Sequence, residues 1–149
     1  EKSAPGAIAD TDRPNPQSAI SLTPTPYDYP QFLGPGRNQS LPAVRIAADW
    51  EASPPELVWR REIGAGWSSF AVVGDLAVTQ EQRGENEIVS AYRWRMGESI
   101  WAQGVPVRFE SAMGGDGPRA TPTIANGRVY TLGHPPVPGF GHRRCSLGP

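Results

Sequence analysis

The chain has one cysteine, Cys145, so an internal disulfide is excluded. It has little net charge: 14 Lys and Arg stand against 15 Asp and Glu, for a formal charge of -1. Its basic residues are nearly all Arg and are scattered, with Arg60-Arg61 and Arg143-Arg144 the only adjacent pairs. That excludes the concentrated positive footprint of a nucleic-acid or anionic-membrane binder. No apolar run approaches the length that spans a bilayer as a helix, and no charged-then-apolar leader is present. The sequence opens at Glu1-Lys2 without Met, as expected of a mature form or an excised fragment. Sustained helical periodicity is also missing.

Glycine and proline are abundant, at 17 each, and the hydrophobic fraction is a lean 38%. Both biases concentrate at the ends, so the ordered part is expected to be shorter than the 149 residues. Residues 1–26 carry Pro5, Pro14, Pro16, Pro24 and Pro26 without an aromatic. Such a segment buries too little apolar surface to offset the entropy of ordering, and is expected to be a disordered linker. Residues 27–56 change character. Tyr27, Tyr29 and Phe32 precede the turn Gly34-Pro35-Gly36, and Trp50 reads as an anchor. This segment is expected to pack on a larger body.

Strand signals fill residues 57–133. Leu57–Ile63, Trp67–Val73, Leu76–Gln80, Ile88–Tyr92 and Ser99–Gln103 are short apolar or alternating runs closed by glycine turns. Arg119–Ala125 and Arg128–Leu132 flank Asn126-Gly127, the strongest short-range hairpin signal. Ser69–Thr79 (SFAVVGDLAVT) and Thr121–Leu132 (TPTIANGRVYTL) repeat one pattern, with one residue inserted, about fifty residues apart. Short strands in a repeat of this period predict an all-β array: one four-stranded blade of a β-propeller and the start of a second. Residues 134–149 hold four prolines and continue no repeat, so the pattern is expected to be cut there, by a fragment boundary or a shifted frame.

The segment Ala91-Tyr92-Arg93-Trp94-Arg95-Met96-Gly97-Glu98-Ser99-Ile100-Trp101 resembles the repeat A-x-D-x-x-T-G-x-x-x-W of the pyrroloquinoline-quinone-like (PQQ-like) β-propeller family. Ala91, Gly97 and Trp101 match; Arg93 and Met96 replace its Asp and Thr. Tyr29–Asn38 is similar to a W-P-x-F-R-G-P-x-R segment that precedes the first blade, with Tyr29 and Leu33 departing from it. The resemblance spans residues 27–133. It implies that the family's Asp and Thr, which cap the turn, are missing here, leaving this turn looser. Gly97 is expected at positive φ, and Trp59, Trp101 and Gly127 are read as structural.

For function the resemblance leaves two classes open. One is a non-catalytic scaffold or protein-binding module, similar to the periplasmic or membrane-tethered propeller lipoprotein that helps assemble outer-membrane proteins. The other is the N-terminal part of a quinoprotein alcohol dehydrogenase. In that class PQQ carries the redox chemistry and calcium positions it, on blades this chain lacks. The scaffold is favoured, with the remaining propeller blades and other proteins as partners, no nucleic acid, and no catalytic, cofactor or metal residue in this chain.

Individual constellations carry little chemistry. His134, His142 and Cys145 fit no standard zinc spacing. Glu81, Glu85 and Glu87 with Arg83 read as a solvated hairpin tip. Gly114–Arg119 is glycine-rich but precedes a strand, whereas a phosphate loop opens a helix. Ser68 and Ser69 have no nearby His and Asp to make a nucleophile. The residues expected to line a loop-built funnel are Trp67, Ser68, Asp116 and Arg119.

Overall fold

A computed structural model describes residues 20–42, 44–133 and the backbone of 143–146. Among these residues the secondary structure is β, with no helix. Four strands, β1 (Ala71–Val73), β2 (Leu76–Arg83), β3 (Asn86–Arg93) and β4 (Glu98–Val105), form one antiparallel sheet in sequence order. A second sheet holds β5 (Thr123–Ala125), β6 (Arg128–Thr131) and β7 (Arg143–Ser146), also antiparallel. The extended backbone of β7 pairs along the edge of β6, so the second sheet gains a strand where the sequence promised none.

Turn chemistry sets the connections. Asn126 and Gly127 both take positive φ (50° and 66°), the pair of values a two-residue hairpin matched to strand twist requires. Gly97 closes β3 to β4 at φ 68°. A register shift between Ala91 and Tyr92 inserts one residue into the opposing strand there. The caps that Arg93 and Met96 do not supply are replaced. The Met96 and Gly97 N–H groups donate to the Arg93 carbonyl at 3.1 and 2.8 Å. The Trp59 indole N–H donates to the Trp94 carbonyl at 2.6 Å, and Arg61 donates to the Gly97 carbonyl at 2.9 Å. The turn is therefore braced by a segment distant in sequence.

The period-2 alternation of β2 and β3 separates two faces. One carries Leu76, Val78 and Ala91, which with Ala71 meet Ile124 and Val129 of the second sheet in the buried apolar core. Trp101 packs at its margin. The opposite face carries Thr79, Glu81, Ser90 and Tyr92, all buried.

Four expectations change. The extended residues 57–63 form no ladder, and the nearest backbone pairing with β2 is the isolated bridge Ala65↔Gln82. The solvated loop expected over residues 81–87 shrinks to Gly84-Glu85, because Glu81, Gln82 and Glu87 are buried within β2 and β3. Trp50 is exposed rather than an anchor, as are Tyr27 and Phe32. Of the opening aromatics, Tyr29 does the packing. Its backbone exchanges hydrogen bonds with Val72 at 2.9 and 2.8 Å, and the Ile124 N–H donates to the Pro30 carbonyl at 2.8 Å. Tyr29-Pro30 thus bridges β1 and β5, the opening strands of the two sheets. The stretch expected to be a linker joins the fold from Ile20 onward: Ile20 and Leu22 pack on the core, and the Asp75 N–H donates to the Ser21 carbonyl at 2.9 Å.

Candidate functional site

The apolar face of the first sheet turns polar toward the β2–β3 turn, where Gln80 and Gln82 follow Val78 on the same side. Each of these amides needs partners once buried. Gln82 donates to the Val107 carbonyl at 3.2 Å and accepts from the Phe109 N–H at 3.3 Å. Gln80 donates to the carbonyls of Ala120 (2.7 Å) and Leu132 (3.3 Å). Two glutamines therefore fix the loop after β4 and seat the second sheet. Gln80→Ala should cost about 1–3 kcal/mol by stripping two carbonyls of their donor. Amide exchange in β5 and β6 should rise while β3 stays protected; equal loss in both would show that Gln80 does not couple the sheets.

The loop so placed presents a connected group of side chains. The Arg119 guanidinium lies 5.6 Å from the Trp67 ring centre and 5.1 Å from that of Phe109, and donates to the Gly115 carbonyl at 2.7 Å. Its contacts with both rings are cation–π in kind. The Trp67 N–H donates to the Pro118 carbonyl at 2.9 Å, tying the two sides of the site together. Arg108 contacts Glu110 and Asp116 (3.1 Å), lies 3.7 Å from Glu85, and donates to the Gly84 carbonyl at 2.9 Å. The Glu110 hydrogen bond, foremost among these carboxylate contacts, holds the Arg108 guanidinium above its usual range. Glu85, Arg108 and Glu110 line a shallow polar depression open to solvent.

Three of the four residues expected at a funnel, Trp67, Asp116 and Arg119, thus share this loop surface. Ser68 instead serves the sheet. Its hydroxyl accepts from the Gln80 N–H at 3.2 Å and donates to the Ser69 carbonyl at 3.1 Å. Trp59 lies against Gly97, where an added Cβ would come within 2.7 Å of its ring. Gly127 sits at an open hairpin tip. Sequence reading passed over Arg108 and Phe109, although the run Arg108-Phe109-Glu110 before a glycine-rich loop marks a charged and aromatic segment. His134 and His142 lie outside the described residues, and of Cys145 only its place on β7 is described.

The charged side chains of this surface are held by partners within it. Its cations are already engaged, Arg108 by carboxylates and Arg119 by rings and a carbonyl. A carboxylate-bearing quinone would have to displace these partners. Among the described residues no three His, Cys, Asp or Glu side chains converge to hold a metal ion. What the site offers is aromatic and Arg side chains beside Trp67 and Met113, which are 67% and 101% exposed. That composition is typical of protein contact surfaces. The chain matches no family model, no curated protein and no solved structure.

Proposed function

We propose that this chain is a non-catalytic repeat unit of a PQQ-like β-propeller, serving as a scaffold or protein-binding module of an extracytoplasmic protein. The observation that supports this reading is the relation of its two sheets. Each opens with a short strand, β1 or β5, followed at once by a glycine-turn hairpin partner. The two opening strands lie beside each other, joined through Tyr29-Pro30. Stacked sheets with neighbouring inner strands are the arrangement of consecutive blades. The Trp67–Arg119–Phe109 surface, rich in residue types that make protein contacts, supports the protein-binding part of this reading.

Blades hide their apolar faces by stacking on neighbours. Leu57, Val58, Ile63 and Leu132 are exposed here. The isolated chain should therefore melt broadly, bind an apolar dye and self-associate as concentration rises. A sharp two-state melt of a monomer would overturn the repeat reading. Addition of PQQ with calcium should leave tryptophan emission unchanged and produce no dye-linked alcohol oxidation. Saturable quenching with turnover would move the assignment to the dehydrogenase class.

A further inference from the structure

The polar face of the first sheet holds a carboxylate that the readings above do not use. The Glu81 side chain is fully buried. It accepts hydrogen bonds from the Gly64 N–H, the Ser90 hydroxyl, the Tyr92 hydroxyl at 3.2 Å and Arg83 at 2.8 Å. Gly64 belongs to the extended segment over this face, and apart from the Trp59 ring against Gly97 the contacts that hold that segment are polar. Ala65 and Gln82 exchange backbone hydrogen bonds at 3.1 and 2.7 Å. Arg61 sits 5.3 Å from the Tyr92 ring centre, and Trp59 reaches the Trp94 carbonyl. Meanwhile Leu57, Val58 and Ile63 point their apolar surface to solvent. A segment with few buried apolar contacts opens at low cost compared with the sheet beneath it.

We propose that residues 57–64 form a releasable strap, latched on the first sheet through the Glu81 carboxylate and able to lift away from a fixed end at residues 65–67 while the sheet stays folded. Lifting uncovers Tyr92, whose ring meets Phe70 edge-on at 6.2 Å. It also frees an extended chain with unpaired backbone groups and a row of apolar side chains, suited to adding along an open strand edge. The groups that face Glu81 are Arg83 from β2, Ser90 and Tyr92 from β3, and the Gly64 N–H from the strap, with Arg61 of the strap across the Tyr92 ring.

Acid is one way to open the latch. Burial acts to raise the Glu81 carboxyl, but the bonds from Gly64, Ser90 and Arg83 outweigh it and hold the group below its ordinary value of 4.5. A carboxyl lowered by folding stabilises the closed form fully above its unfolded value. That contribution is lost as pH falls through the lowered folded value. The strap should therefore loosen on the acid side and stay closed at neutral pH.

The test uses the whole chain. At neutral pH, Glu81→Gln should speed tryptic cleavage at Arg60 and Arg61 about tenfold, the scale of losing a charge-assisted hydrogen bond. Cleavage at Arg93 and Arg128 should be unchanged. No acceleration, or equal acceleration at all four sites, overturns the strap. Should Glu81→Gln fail to fold, acid titration of the unaltered chain decides instead. After correction for intrinsic exchange, the Gly64 amide should lose protection at a higher pH than the amides of Ala65, β2 and β3. Loss of all of them in one step overturns the proposal.

Discussion

Leu76→Ala should abolish the folded state of the first sheet. Leu76 is fully buried and is the largest aliphatic side chain among the fully buried residues. Around it the core is thin: Ala71, Val78 and Ala91 from its own sheet, with Ile124 and Val129 from the other. Truncating a buried leucine costs about 2–5 kcal/mol, more where neighbours cannot collapse into the space. Backbone ladders hold Leu76 opposite Val73 and Arg93, so relaxation is restricted. An ordinary domain has only about 5–15 kcal/mol in reserve, and a repeat unit with open faces has less. The expected result is loss of near-ultraviolet dichroism and rapid proteolysis throughout β1–β4. Leu57→Ala is the matched control: that side chain is 75% exposed, so its effect should stay within about 0.5 kcal/mol. If Leu76→Ala resists protease as the unaltered chain does, the interface between the sheets is not the core.

How much of this was legible in the sequence follows from where local signals outrank distant ones. Asn126-Gly127, Gly97 and Gly74-Asp75 announced their turns because positive φ restricts the residue types that can sit there. Leu76, Val78 and Ala91 announced a buried face through period-2 alternation. The same alternation continues through Thr79 and Glu81, yet charge there suggested solvent. Burial of Glu81 depends on Gly64, Ser90 and Tyr92, and only folding brings the first of these, 17 residues away, to the carboxylate. The extended run 57–63 failed as a strand for the converse reason. Its residues have strand-forming types, but pairing requires a partner edge, which composition does not encode. At the candidate site, Trp67, Asp116 and Arg119 were readable as loop residues flanking strands. Arg108 was not, because its place is set by the Gly84 carbonyl and by carboxylates on two loops.

Gly117→Ala should dismantle that candidate surface, whereas Gly115→Ala should leave its contacts in place and cost backbone strain alone. Both glycines have positive φ, 89° at Gly117 and 73° at Gly115. Both substitutions thus carry the backbone strain of placing a Cβ there, of order 1–3 kcal/mol. Their surroundings differ. At Gly115 the nearest atom to an added Cβ is the Trp67 indole nitrogen at 3.7 Å, an ordinary contact. At Gly117 the added Cβ would lie 2.3 Å from the Ala65 carbonyl oxygen, 2.7 Å from its carbon and 3.0 Å from the Gly66 Cα. These are backbone atoms, so no rotamer change relieves the overlap. The Gly117 N–H also donates to the Phe109 carbonyl at 3.1 Å, and the next residue's carbonyl receives the Trp67 N–H. Displacing residue 117 therefore separates Phe109 and Trp67, the two rings on either side of Arg119. Gly117→Ala should lower stability by more than about 3 kcal/mol, beyond the φ term that Gly115→Ala alone reports. The readout is the near-ultraviolet tryptophan band together with urea sensitivity of both variants. Matching losses in the two variants would mean that φ strain alone governs the loop. A much larger loss at Gly117 would show that residues 65–67 and the loop after β4 are built as one packed layer, the fixed end from which the strap lifts.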